Sequence, residues 1–368
     1  MKIIIAAGGT GGSVNPALAV AEEIKKLKPR AEILFVGTKT GPEKGIVSAV
    51  GLDFAHVPSA KLRRYFSINN LCDFFKFFAG IIKSFFIIKR FQPDVIFGTG
   101  SFVQVPLCWV GKLFKAKIVI HQQDSRIGLA NKLVSFIADS ITTAFEYTSK
   151  EFYSGSGFMT KKWNPRALWV GNPIRASILS KQLDFKDFFG LNSDLPVLFV
   201  FGGSTGAEQI NQFIFEIAPK LVKSFQVVHM AGKGKSISLF QNSNYHVFDF
   251  LPFPQYSYIM QKAHIVVSRA GLSTITELSS LRKCSIIIPM PYSHQEDNAT
   301  MMQLMGAAIV LFRNHATAQN LERIIFKLNF DPDTQKALKK NIQTVNRPEA
   351  AKTLAGIIIK HSNERKKT

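Results

Sequence analysis

The chain has 368 residues, 46% of them hydrophobic and 19% charged. That is enough apolar material for about two to three domains with true cores, which excludes disorder as the main state. Lys and Arg number 46 against 25 Asp and Glu, a net charge of +21 divided as +12 over residues 1–170 and +9 over residues 171–368. The balance favours an anionic partner, a phosphorylated substrate or an acidic membrane surface; nucleic acid is not expected, because the basic side chains are dispersed and no binding module is present.

The first apolar run, KIIIAA, leads into glycines instead of a small-residue cleavage site, so no signal peptide is expected. Apolar residues at 17, 18, 20, 21, 24 and 27 predict a helix over Ala17 to Leu27, followed by a strand in AEILFVG. The longest apolar region, Leu71 to Phe91, is broken by Asp73, Lys76, Lys83 and Lys89 and falls short of a membrane span. DVIFGTG and AKIVIHQ read as further strands. After Gly171-Asn172-Pro173 the scheme restarts with PVLFVFGGSTGA, a helix through Gln209 to Val222, FQVVHMAGKG, HIVVSRAG, a helix from Thr274, and CSIIIPMP. Ile- and Val-rich runs alternating with helix-period segments predict an α/β chain of two Rossmann-like, doubly wound domains, each a parallel sheet covered on both faces. The domains are set at 1–170 and 171–345, with a last helix over about 346–362 returning to the first.

Both halves carry an apolar strand ending in a glycine cluster, Gly8-Gly9-Thr10-Gly11-Gly12 and Gly202-Gly203-Ser204-Thr205-Gly206. A glycine turn lets backbone approach a ligand, and the helix that follows presents unpaired N–H groups to an anion. A dinucleotide fingerprint is excluded, since Val14 stands where its third glycine belongs and the second strand ends in Thr38-Lys39. Gly232-Lys233-Gly234-Lys235-Ser236 is not a phosphate loop of the Walker type, because position 229 is His. Cys72, Cys108 and Cys284 are too few and too far apart for a disulfide framework, and the eight histidines lack ligand spacing. A reducing, cytoplasmic compartment and no metal site are expected.

Eight segments in order resemble the MurG family of peptidoglycan N-acetylglucosaminyltransferases: GGTGGSVNPALAVAEEI at 8–24, KLRRYF at 61–66, GTGSFVQVP at 98–106, HQQDSRIGLANK at 121–132, VGNPIR at 170–175, GGSTGAEQIN at 202–211, SRAGLSTITEL at 268–278 and HQEDNA at 294–299. The resemblance implies a GT-B fold with an interdomain cleft. It also implies an inverting, metal-independent transfer of GlcNAc from UDP-GlcNAc, without a cofactor, to the MurNAc 4-hydroxyl of undecaprenyl-diphospho-muramoylpentapeptide. Ser204 and Gly206 would then meet the diphosphate, Arg175 would lie near the nucleotide and Leu251 would meet the uracil through its backbone. Leu272, Ser273, Thr274 and Glu277 would contact phosphate and ribose, and Gln295 would read the sugar hydroxyls. On the N-terminal side Thr10, Gly11 and Gly12 would face the donor and Asp124 would contact sugar.

The family has His after GGTGG and Glu after the first His of HEQN, whereas this chain has Ser13 and Gln122, with Asp124 where Asn is common. The loop before His294 is shorter than usual. The candidates for the base are therefore Asp124 and His121, with Ser13 at the usual histidine position. The stretch Lys61 to Arg90 holds seven Lys and Arg against Asp73 alone, interleaved with FFKFFAGIIKSFFII, which suits a peripheral place on the cytoplasmic face of an anionic membrane. Proteins of cell-wall synthesis are further expected partners. Alternatives are another glycolipid glycosyltransferase, a UDP-GlcNAc 2-epimerase, or a non-catalytic protein binding sugar nucleotide or lipid.

Overall fold

The computed structural model describes residues 1–9, 11–41, 43–58, 69–154, 167–180, 184–191, 194–203, 206–236 and 240–365. They form two compact units, Met1–Arg175 with Arg347–Thr368, and Ala176–Asn346. The division thus falls five residues after the Gly171 restart.

The first unit is a parallel sheet of β1 (Lys2–Ala6), β2 (Glu32–Gly37), β3 (Asp53–His56), β4 (Val95–Gly98), β5 (Lys117–Gln122), β6 (Ser140–Thr143) and β7 (Ala167–Trp169), in the order β3-β2-β1-β4-β5-β6-β7. Crossovers run through α1 (Gly11–Leu27), α2 (Glu43–Ser48), α3 (Asn69–Phe91), α4 (Gln104–Leu113), α5 (Leu129–Ser135) and α6 (Glu146–Ser154). Alternate strand residues serve opposite faces: Ile3, Ile5, Phe97 and Val119 pack with Val14, Leu18 and Ile24 of α1, while Ile4, Ala6, Ile96 and Ile118 pack with Ile88 of α3 and Leu107 and Cys108 of α4. Burial on both sides is why the strands read as unbroken apolar runs.

The second unit repeats the plan with β8 (Val197–Phe201), β9 (Gln226–Met230), β10 (Tyr245–Phe248), β11 (Ile265–Ser268), β12 (Cys284–Ile287) and β13 (Ile309–Val310), in the order β10-β9-β8-β11-β12-β13. Its helices are α7 (Glu208–Leu221), α8 (Phe253–Lys262), α9 (Leu272–Ser280), α10 (Gln295–Leu304), α11 (Ala318–Asn329) and α12 (Pro332–Ile342). In each sheet the chain starts in the centre, winds to one edge and then to the other, so winding reverses between β1 and β4 and between β8 and β11. Outside the carboxyl ends of strands at such a reversal, adjacent loops diverge and leave a crevice for ligand.

The last helix, α13 (Ala350–Arg365), rejoins the first unit, burying Leu354, Ala355 and Ile358 in the α1 core. Ser362 Oγ donates to Asp94 Oδ2 at 3.2 Å, the same oxygen that accepts the Lys2 amide at 2.8 Å, so this end of the chain is tied to the start of β1 and β4.

Two helices begin earlier than periodicity predicts. α1 starts at Gly11 instead of Ala17, because Val14 continues its apolar stripe and is fully buried. α9 starts at Leu272 instead of Thr274, after Gly271 in an extended conformation.

Candidate active site

At the carboxyl end of β1 the chain turns through Gly8 and Gly9, the latter at φ +91°, and enters α1. The turn is held by Glu43, a fully buried carboxylate that the sequence reading did not single out. Its Oε1 accepts the amides of Gly9 at 3.3 Å and Thr38 at 2.6 Å and the Thr38 hydroxyl at 2.5 Å. A Cβ on Gly8 would stand 2.5 Å from that oxygen, and one on Gly37 or Gly41 would also collide with the Glu43 side chain. These glycines exist to admit the carboxylate. Across the reversal, Thr99 Oγ1 donates to Ser13 O at 3.2 Å and ties the end of β4 to α1.

Ser13, in the first turn of α1, donates its hydroxyl to Gly8 O at 3.2 Å. Gly11 and Gly12 open the helix, with Gly12 exposed; Thr10 lies outside the described residues. His121, on β5, is fully buried, with Nδ1 3.0 Å from Thr142 Oγ1 and Nε2 3.4 Å from Asn172 Oδ1. Burial drives its pKa down to about 4. A fully buried, neutral imidazole facing Thr142 and Asn172 is sealed from a substrate hydroxyl, so the structure speaks for His121 as a structural residue and against it as the base. Asp124 is half-buried in the loop beyond β5. Arg175 is the last residue of the first unit's main segment, with Nε 2.9 Å from Glu22 Oε1 on α1.

In the second unit the loop after β8 passes through Gly202, Gly203 at φ +89° and Gly206 at φ +72°. A Cβ on Gly206 would lie 2.0 Å from Ala231 O, so only glycine lets this loop lie against the end of β9. Below that contact runs a buried chain of hydrogen bonds: Tyr245 to His229 Nδ1 at 3.0 Å, His229 Nε2 to Asn211 at 3.1 Å, and Asn211 Nδ2 to Ala231 O at 2.9 Å. Ser204 lies outside the described residues. The Gly232–Ser236 segment is closed on the Asp249 carboxylate, which accepts the amides of Gly234 at 3.0 Å and Ser236 at 3.2 Å; those donors serve the protein's own anion.

Beyond β11, α9 presents its amino-terminal turn, Leu272, Ser273 and Thr274, at the same edge. Arg269, another residue sequence reasoning missed, donates to Gln209 Oε1 at 3.1 Å and to the carbonyls of Ile288 and Pro289 at 3.1 and 2.9 Å. It joins the first turn of α7 to the loops after β11 and β12. Leu251 is buried in the turn before α8. Glu277 sits in the second turn of α9, where the dipole does not account for an acid. Its Oε2 accepts the Tyr256 hydroxyl at 2.5 Å, while burial raises its pKa to about 7. Gln295 opens α10 with Oε1 accepting the Met290 amide at 3.1 Å. Its amide nitrogen has no partner among the described residues, so it offers donors where an acceptor is already used. Among the described residues no three His, Cys, Asp or Glu side chains group as metal ligands.

The family model described as Glycosyltransferase family 28 N-terminal domain matches residues 3–143, and the one described as Glycosyltransferase family 28 C-terminal domain matches residues 197–354. The UDP-N-acetylglucosamine–N-acetylmuramyl-(pentapeptide) pyrophosphoryl-undecaprenol N-acetylglucosamine transferase of Listeria welshimeri is 34% identical over 98% of this chain and 99% of its own length. The chain belongs to glycosyltransferase family 28. The enzyme of the same name from Caldicellulosiruptor saccharolyticus is 32% identical to this family 28 chain over 97% of each. The MurG resemblance is thereby borne out. The crystal structure of Acinetobacter baumannii MurG matches with TM-score 0.69 at 20% identity, over 98% of this chain and 99% of that one. A Neisseria meningitidis UDP-GlcNAc 2-epimerase matches with TM-score 0.71 at 15% identity, over 98% of this chain and all of that one. At these identities the structures establish the fold, which is of GT-B type.

Proposed function

We propose that this family 28 chain transfers GlcNAc from UDP-GlcNAc to the MurNAc 4-hydroxyl of an undecaprenyl-diphospho-muramoylpentapeptide with inversion at the anomeric carbon. The observation that carries the reading is the full-length identity of about one third to transferases of that name, joined to two glycine turns at the winding reversals. The donor belongs to the second unit. Ser204, Gly206 and the first turn of α9 with Leu272, Ser273 and Thr274 stabilise the diphosphate, Leu251 meets the uracil through its backbone, Glu277 accepts the ribose hydroxyls, and Gln295 donates to a sugar hydroxyl. The acceptor belongs to the first unit. Its hydroxyl oxygen attacks the anomeric carbon as the bond to UDP breaks, its proton passes to Asp124, and the leaving diphosphate takes the negative charge. Helix N-termini supply the stabilisation that a cation would otherwise give.

The first unit also supplies the membrane contact in this reading. Among the described residues no helix is long and apolar enough to cross a bilayer. Yet α3 exposes Phe78, Ile82 and Phe86 in one row at four-residue spacing, and α4, packed beside it, exposes Trp109 and Leu113. Lys76, Lys89 and Lys112 are exposed on the same two helices. An apolar row edged by lysines suits insertion into the headgroup layer of an anionic leaflet, where the lipid-linked acceptor resides. KLRRYF, at 61–66, lies outside the described residues.

The test is an assay with UDP-GlcNAc and a lipid I analogue, alongside diacylglycerol as acceptor and a reaction without acceptor. Disaccharide formed only on the lipid I analogue supports the reading. Transfer to diacylglycerol would replace it with another glycolipid transferase, and epimerisation of UDP-GlcNAc without acceptor would replace it with the epimerase.

A further inference from the structure

Three buried amide side chains link the ends of β4 and β5 in the first unit. Gln104, Asn131 and Gln122 are 0%, 1% and 3% exposed. Gln104 Oε1 accepts the Gly100 amide at 2.9 Å, and its Nε2 donates to Asn131 Oδ1 at 2.6 Å. Asn131 Nδ2 donates to Gln122 Oε1 at 2.7 Å and to His121 O at 3.2 Å. Gln122 Oε1 also accepts the Gly128 amide at 3.1 Å, while its Nε2 donates to the carbonyls of Asp124 at 2.9 Å and Arg126 at 2.8 Å. One side chain thus closes the loop 123–128 from inside with three hydrogen bonds and ties it to α5 with a fourth. Although the family has Glu here, the pattern in this chain suits an amide: two loop carbonyls face Nε2, and an ionised carboxylate there would set acceptor against acceptor.

The loop so held carries Asp124. It also carries two buried polar atoms, Gln123 Nε2 and Ser125 Oγ, with no hydrogen-bond partner among the described residues. Buried orphan donors are uncommon unless something outside the chain completes them. We propose that Gln122 is a positioning residue that sets loop 123–128, and with it Asp124, against the acceptor. This rests on the transfer reaction proposed above. It also assigns opposite consequences to an acid and an amide at one position.

The test is Gln122→Glu, a change of almost no volume. The charged or titratable groups on the elements around it are Asp124 and Arg126 on the loop, Lys117 and His121 on β5, Lys132 on α5, Lys112 on α4, and Glu146, Lys150 and Glu151 on α6, which meets the loop where Thr148 Oγ1 donates to Ser125 O. At pH 8 the new carboxylate lacks both donors, so kcat falls about 10-fold or more, the scale of a displaced catalytic group, with the KM for UDP-GlcNAc within about twofold of the parent. As pH falls towards 6 the buried carboxyl protonates and regains one O–H donor, so the ratio of variant to parent kcat rises. Parent-like kcat at pH 8 overturns the inference. So does a loss that is the same at every pH or that appears mainly in donor KM. Amide hydrogen exchange on the unmodified full-length chain provides the arm independent of variant folding: Gly128 and Gly100 should exchange as slowly as neighbouring sheet amides, and unprotected exchange at Gly128 overturns the proposal. If the unmodified chain transfers no sugar, the functional reading fails and the exchange result alone decides whether the loop is held as described.

Discussion

Single side chains in the proposed site have roles set by what surrounds them. Asp124 is the remaining base candidate after His121 is sealed behind Thr142 and Asn172. Asp124→Asn keeps shape and removes the basic oxygen, so kcat should drop about 100-fold in a steady-state assay with saturating donor; near-parent kcat would leave Asp124 as a sugar-binding residue. In the proposed role Gln295 donates through its amide to a sugar hydroxyl, so Gln295→Ala should cut the preference for UDP-GlcNAc over UDP-GalNAc and UDP-glucose by about 10-fold in kcat/KM, because a lost hydrogen bond to a hydroxyl erases discrimination. Equal use of the three donors by the unmodified chain would contradict this role. Glu277 illustrates function set against stability. With its folded pKa raised to about 7, above the ordinary 4.5, the folded state holds the proton more tightly than the unfolded state. Stability therefore falls as pH rises from about 4.5 to 7, and the full penalty, on the order of 1–3 kcal/mol, persists above pH 7. Glu277→Gln should raise Tm by several degrees at pH 8, with the gain vanishing towards pH 4.5, while donor KM rises. A Tm difference that does not change with pH would exclude this ionisation as its source.

At the scale of elements, glycine turns and helix faces carry the argument. The sequence showed two glycine clusters after apolar strands, and both are turns at winding reversals. Less legible was why so many glycines surround the first: Gly8, Gly37 and Gly41 make room for Glu43, which is distant from Gly8 in sequence and was invisible to pattern reading. Helix α3 displays its charge and apolar content in the sequence, but only packing against α4 decides that Ile88 is buried while Phe78, Ile82 and Phe86 are exposed. If this row enters a membrane, the chain should sediment with vesicles containing phosphatidylglycerol at low salt. Replacing Phe78, Ile82 and Phe86 with Ser should lower vesicle affinity by about 100-fold or more without lowering Tm, each exposed aromatic or branched side chain contributing on the order of 1–2 kcal/mol on insertion. Unchanged sedimentation of the triple variant would dismiss α3 as the anchor.

For the whole molecule, charge stabilisation is assigned to helix N-termini and backbone amides at the carboxyl edges of two parallel sheets. Transfer activity should accordingly persist in EDTA, measured as UDP release with the lipid I analogue; loss of activity in chelator with recovery on adding Mg²⁺ would refute that assignment.

The sequence by itself determined the alternation of strand and helix, the two-unit α/β plan, the family and the glycine turns, because these follow from local periodicity and from backbone conformations available to particular residues. Tertiary structure decided which polar groups are buried together. His121 loses its charge, Arg175 pairs with Glu22, Glu277 meets Tyr256, and Gln122 gathers a loop through Asn131 and Gln104. Each outcome depends on desolvation and on partners remote in the chain, and a short-range pattern carries neither.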